Sequence, residues 1–184
     1  KIDISNVHTK MGDYDSNELV SALEPYLEEI ADHMKEYCRG KHTVVFLPLV
    51  AISQRFAEIL NKKGFRAIEV NGSSENRSDI LEDFSAGKYD VICNAMLLTE
   101  GWDCPCVDCI IVLRPTQSRA LYQQMVGRGT RLCEGKDHLL LLDFLWMTSK
   151  HNLCRPCLLV AKTQEVANRI TELIELDENE YDLL

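Results

Sequence analysis

Residues Gly127-Arg128-Gly129-Thr130-Arg131 place two guanidiniums three positions apart among glycines. Arginine is planar, permanently charged and able to give two parallel hydrogen bonds to phosphate oxygens. Gly127 and Gly129 have no Cβ, so the backbone there can approach a ligand closely or take a strained turn. The set suits a polyphosphate. A helix leading in from Ser118 would put Arg128 and Arg131 on one face, because residues three apart are neighbours on a helix. The alternative is a solvated arginine pair. Two further groups suit an anion. Arg114 and Thr116 follow an apolar run, and the carboxyl ends of strands are where α/β sheets bind ligands. Ser73, Ser74 and Arg77 lie in a turn and helix start, whose N–H groups suit a phosphate; a simple capping turn is the alternative.

The elements that must hold these residues are readable from apolar periodicity. Thr43–Leu47, Ala67–Val70, Tyr89–Cys93, Cys109–Leu113 and Leu139–Leu142 are short β-rich runs of the kind found in buried parallel strands. Ile52, Phe56, Ile59 and Leu60 mark a helix that stops near Gly64, and Ile80, Leu81 and Phe84 mark another, with Ser74 as a candidate cap. Short strands alternating with helices of roughly 10 to 15 residues predict an α/β domain with a parallel sheet. Ahead of it, Ile2, Ile4 and Val7 alternate as in a short edge strand. Asp15 or Ser16 would cap a helix carrying Leu19, Leu23, Leu27, Ile30 and Met34, and Pro25 would begin a second helix. Residues 1–40 therefore read as a linker and helical segment, 41–171 as the main domain and 172–184 as an acidic tail.

Gln124-x-x-Gly127-Arg128-x-x-Arg131 resembles motif VI of superfamily-2 helicases and translocases. Upstream, Leu98-Thr99-Glu100-Gly101-Trp102-Asp103 resembles motif V of the same group, and the two stand in the expected order with an apolar strand between them. The likeness covers residues 40 to 160 and is greatest to the branch with restriction-enzyme motor subunits, excision-repair helicases and DEAD/DEAH-like proteins. It implies a RecA-like three-layer domain with a mostly parallel central sheet flanked by helices, the second of two such domains in a motor. Arg128 and Arg131 would then act as arginine fingers on the γ-phosphate of ATP, with Gln124 positioning water or a phosphate oxygen. Asp103 would accept a hydrogen bond from ribose, and Gly101 and Gly127 would let the backbone approach the nucleotide. Ser73, Ser74, Arg77, Thr99, Glu100 and Arg114 would follow a nucleic-acid strand. DNA is favoured over RNA because both motif variants look more like the DNA-acting branch.

The sequence holds no G-x-x-x-x-G-K-[ST] and no D-E-x-H or D-E-A-D box. The resemblance thus supplies the arginine half of an ATPase site. The phosphate-cradling half and the Mg²⁺ ligands are expected on an N-terminal RecA-like domain of the same polypeptide, and the present chain alone is expected to be inactive. The lack of an initiator Met fits an excised piece. A degenerate helicase fold serving as a binding module is the rival reading.

Composition sets limits. The net charge is −9, but residues 1–40 carry four Lys/Arg and nine Asp/Glu, and residues 172–184 carry six acids and no base. The middle is near neutral. It suits loose backbone contact with a strand and does not suit a binder whose affinity comes from many phosphate contacts. No run approaches the roughly 18 apolar residues of a membrane span. The eight cysteines match no secreted disulfide framework, which points to a reducing cytoplasm. Cys154-x-x-Cys157 and Cys104-Pro105-Cys106-x-x-Cys109 follow no common zinc spacing, so no metal site is expected.

Overall fold

The computed structural model describes residues 2–95, 102 and 104–145. A hairpin comes first, β1 (Thr9–Lys10) against β2 (Asp13–Tyr14), antiparallel. Then come helices α1 (Ser16–Leu23) and α2 (Leu27–Tyr37), strand β3 (Thr43–Phe46), helix α3 (Val50–Lys62) and strand β4 (Ala67–Val70). The chain continues through α4 (Arg77–Ser85), β5 (Val91–Asn94), β6 (Cys109–Val112), α5 (Arg119–Gly127) and β7 (Leu140–Leu142).

Five strands form one parallel sheet in the order β4-β5-β3-β6-β7. The parallel α/β sheet expected from the alternation of strands and helices is observed. Every residue of β3, β5 and β6 is buried, whereas β7 at the edge is half-buried throughout. This is why the three central strands read as unbroken apolar runs: both of their faces are covered. The α3 helix turns Ile52, Phe56, Ala57, Ile59 and Leu60 inward and ends at Gly64, whose φ of 89° is accessible to a residue without Cβ. Asp90 ties the start of β4 to β5: its carboxylate accepts from the Arg66 backbone N–H at 3.0 Å and from Arg66 Nε at 3.1 Å. The Arg66 hydrogen bond holds the Asp90 carboxyl below its usual range.

The helices before the sheet follow their sequence signals. Asp15 caps α1 by accepting from the N–H groups of Asn17 and Glu18 at 2.9 and 3.2 Å. Pro25 sits in a single 3₁₀ turn, Glu24–Tyr26, that leads into α2. Leu27, Ile30, Ala31 and Met34 of α2 are buried, and the helix ends at Cys38, whose sulfur lies 3.6 Å from that of Cys109 at the start of β6.

Three expectations are corrected. Residues 2–7 form no strand; Ile2 and Ile4 are buried anchors, and the Ile2 N–H donates to the Phe144 carbonyl at 3.1 Å. Pairing occurs instead at the hairpin, where Met11 and Gly12 have φ of 54° and 84°, the two left-handed residues a primed two-residue turn requires. Ser74 does not cap α4. Asn76 occupies that position without a side-chain bond, and Ser74 Oγ instead accepts from the Asn71 N–H at 3.0 Å. Finally, α5 ends at Gly127, so Arg128 is its C-cap and Arg131 lies beyond the helix. The expected shared helical face for the two arginines does not form.

The exit from α5 lies hard against the sheet. A Cβ built on Gly129 would stand 2.3 Å from Leu139 Cδ1 and 2.9 Å from Ile110 Cγ1, whereas one on Gly127 would meet nothing within 4 Å. Gly129→Ala should therefore destabilise the chain by about 1–3 kcal/mol, the usual cost of overpacking. Gly127→Ala should be neutral or stabilising by up to about 1 kcal/mol, as expected for a helical glycine with open space. Urea unfolding of the two variants beside the wild type checks both.

Candidate functional site

Because the sheet is parallel, the carboxyl ends of β4, β5, β3 and β6 share one edge. Asn71–Ser74, Ala95, Leu47–Pro48 and Leu113–Thr116 follow those strands directly. The candidate residues described in the structure fall in three groups on this edge and on the helix that follows it.

The first group follows β4. The Asn71 side chain accepts from the Ser73 N–H at 2.8 Å, and the Asn71 carbonyl accepts from the Ser74 N–H at 3.2 Å. This bonding closes a turn. Ser73 is exposed, Ser74 half-buried through its bond to Asn71, and Arg77 half-buried at the start of α4. Of the three, Ser73 presents the most open surface.

The second group follows β6. The Arg114 side chain is 13% exposed, with Nη2 4.0 Å from Asp13 Oδ2. Burial lowers its pKa, and the charge of Asp13 opposes that shift. Thr116 is 4% exposed and donates its hydroxyl to Asp13 Oδ2 at 2.8 Å. Arg114 thus turns toward the N-terminal hairpin and away from open solvent.

The third group surrounds the end of α5. Tyr122, Met125 and Val126 are buried, while Gln124 is exposed. Ser118 starts the helix by accepting from the Leu121 N–H at 3.3 Å. Arg128 is half-buried, and its Nη1 donates to the carbonyl of Trp102. Trp102 is 7% exposed and its ring packs 5.9 Å from that of Phe84, so it is part of the core. Arg131 is exposed. Gly101, Asp103, Thr99 and Glu100, which flank Trp102, lie outside the described residues, as do Cys154 and Cys157.

Lys136 closes this group. Its ammonium donates to the carbonyls of Gly129 at 2.6 Å, Arg131 at 2.8 Å and Pro105 at 3.3 Å. Its three N–H donors thereby join the segment after Trp102 to the segment carrying both arginines. Burial pulls the Lys136 pKa down; the three carbonyls favour the charged form. Cys104 and Cys106 are close by, with sulfurs 2.7 Å apart, and burial is the main cause that pushes the Cys106 thiol up to about 12. Among the described residues, no group of three or more His, Cys, Asp or Glu is placed to hold a metal ion. No helix among them is long and apolar enough to cross a membrane.

Sequence reasoning passed over Asp13 and Lys136. Asp13 follows a Met-Gly turn and Lys136 follows Gly135, whose φ is 78°. Those turns were the available signals; what each side chain reaches is set by the tertiary fold. Gly129 serves packing on Ile110 and Leu139, a role distinct from the ligand approach its motif suggests.

Residues 25–133 match the helicase conserved C-terminal domain family. Among curated proteins, IRC3 of Saccharomyces cerevisiae, which carries the name of an ATP-dependent helicase, is 33% identical over 152 residues, covering 82% of this chain and 21% of that protein. The UvrABC system protein B of Prochlorococcus marinus is 30% identical over 121 residues, 60% of this chain and 17% of that protein. Among solved structures, a fragment named as an HsdR subunit of a type I restriction enzyme from Vibrio vulnificus superposes with a TM-score of 0.65 at 25% identity. It covers 77% of this chain and 31% of that one. The chain thus spans about a fifth of the length of the yeast relative.

Replacing Lys136 by Met keeps the side chain's bulk and removes its three donors. The variant should lose about 1–2 kcal/mol of stability, the net worth of a hydrogen bond from a charged donor to the part-buried Gly129 carbonyl, since water can replace the ammonium at the exposed Arg131 and Pro105 carbonyls. Amide exchange should rise locally at Gly129 to Arg131. Thermal unfolding and hydrogen exchange measure the two effects.

Proposed function

Since the chain belongs to the helicase conserved C-terminal domain family, we propose that it is the second RecA-like motor domain of an ATP-dependent helicase or DNA translocase. Its ATPase site would be completed by an N-terminal RecA-like domain of the same polypeptide. In this reading, residues 1–40 bring the chain across from that domain, 41–171 form the motor core and 172–184 an acidic tail. The proposed compartment is a reducing cytoplasm, in keeping with six free cysteines among the described residues.

The observation that carries the reading is the coupling of two sequence motifs at one point. Arg128 is held on the carbonyl of Trp102, and Lys136 binds Pro105, Gly129 and Arg131 together. The arginine segment therefore starts from a fixed place. A guanidinium has five N–H groups, so an anchor on Trp102 is compatible with contact to phosphate. When the two domains close on ATP, Arg128 and Arg131 would meet the γ-phosphate and offset the charge that develops as it transfers. Gln124, exposed on α5, would orient the attacking water. Gly101, Asp103 and Gly127 would line the nucleotide. Mg²⁺ would be held by the nucleotide and by carboxylates of the N-terminal domain, where it would neutralise phosphate charge. Ser73, Ser74, Arg77, Thr99 and Glu100 would follow the nucleic-acid backbone. Arg114, facing Asp13, would contribute from the base of the same edge.

The test is steady-state ATPase of the full-length protein with no nucleic acid, with DNA and with RNA. Turnover should rise with nucleic acid, DNA the more effective. Arg128→Ala and Arg131→Ala should each lower kcat by about 10³ or more, the scale of an arginine finger. Wild-type turnover in Arg131→Ala would reject its finger role. A full-length protein without ATPase would leave the rival reading, a binding module on a degenerate helicase fold.

A further inference from the structure

The N-terminal hairpin sends one carboxylate into the loop that launches α5. Asp13 Oδ2 accepts the Thr116 hydroxyl at 2.8 Å, and Oδ1 accepts the Gln117 backbone N–H at 3.0 Å. Thr116 Oγ1 in turn accepts the Ser118 N–H at 3.0 Å. Ser118 then caps α5, its side chain accepting from Leu121 and its carbonyl from the Tyr122 N–H at 3.1 Å. The bonds form an unbroken series from the hairpin to the helix whose C-cap is Arg128. Residues over a hundred positions apart are joined in it, and its central hydroxyl is buried.

The far end of the series is also fixed. A two-stranded hairpin is marginal by itself, yet this one is fastened to α1. The Asp15 N–H donates to the His8 carbonyl at 2.9 Å, the His8 N–H donates to Glu18 Oε2 at 2.6 Å, and Asp15 caps α1. Arg114, largely buried and with no hydrogen-bond partner at Nη1, gives Asp13 a cationic neighbour on the same loop. A buried guanidinium without a nearby carboxylate is costly, so Asp13 has a reason to stay where it is.

We infer that Asp13 is a positioning residue for the arginine-bearing helix: it fixes the 114–118 loop, sets where α5 begins, and thereby sets where Arg128 ends. The inference rests on the arginine reading given above. It places the hairpin in the control of turnover, because a displacement of α1 reaches α5 through Asp13 and Thr116. Misplacing a catalytic group by about 1 Å is enough to cost orders of magnitude in rate.

The experiment uses the full-length protein and reads kcat and KM for ATP at saturating nucleic acid, with melting temperatures alongside. Asp13→Ala and Thr116→Val should each lower kcat about tenfold or more, with KM for ATP changed less than about threefold. Thr116→Ser keeps the hydroxyl and should keep wild-type kcat. The double variant should be no slower than either single one, because both cut the same series. If Asp13→Ala does not fold, the contrast between Thr116→Val and Thr116→Ser decides. Arg128→Ala is run in parallel. Abolished turnover in Arg128→Ala with wild-type kcat in folded Asp13→Ala overturns the Asp13 inference alone. Wild-type turnover in Arg128→Ala overturns both. Equal kcat for Thr116→Val and Thr116→Ser, or a fall in melting temperature with no change in kcat, also overturns it.

Discussion

The close approach of Gly129 to the sheet is the contact on which the rest of the arrangement depends. With only a hydrogen where other residues carry Cβ, the chain leaving α5 settles against Ile110 and Leu139. That contact brings the carbonyls of Gly129 and Arg131 within reach of Lys136, which also holds Pro105. It also keeps Arg128, at the helix end, beside the carbonyl of Trp102. Three attachments, two of them to residues distant in sequence, therefore converge on a stretch of five residues. A segment held in this way can present a charged group to a partner surface with little conformational entropy left to lose.

The same economy governs the charges. Arg114 and Lys136 are withdrawn from water, and burial lowers the pKa of each. Each has its own compensation. Arg114 faces the carboxylate of Asp13, while Lys136 faces three backbone carbonyls that cannot titrate away. Arg131 stays exposed and Arg128 half-exposed. Two half-buried cations thus fix the backbone around the motif, and in the proposed reading the more accessible arginines carry its chemistry. Under the proposed function, a chain of net charge −9 would meet an anionic ligand through local placement of charge more than through the total.

The strands, their parallel pairing and a cap at Asp15 or Ser16 were legible because each has a local cause: an apolar run covered on both faces, or a polar side chain two and three residues before the N–H groups it accepts; the structure chooses Asp15 and supplies the strand order. The hairpin was misread. The buried Ile2 and Ile4 imitate strand alternation, while the true turn uses Met11 where Asn or Asp would have signalled it. The end of α5 was misread because nothing in Gly-Arg-Gly tells a helix from its exit; the contact of Gly129 with a strand earlier in the chain decides. Asp13 and Lys136 carry no motif. Their partners are fixed by tertiary packing, which local spacing does not record. The motif residues Arg128 and Arg131 stood out by type, whereas the groups that hold them did not.

The most direct measurement is complementation in trans. The proposed N-terminal domain would be purified alone, and its ATP turnover measured before and after adding the 184-residue chain with nucleic acid. The account predicts that neither part turns over ATP appreciably by itself, that the wild-type chain stimulates turnover by about 10² or more, and that a chain lacking both Arg128 and Arg131 does not. Hydrolysis by the 184-residue chain alone, or equal stimulation by the chain without its arginines, would contradict it.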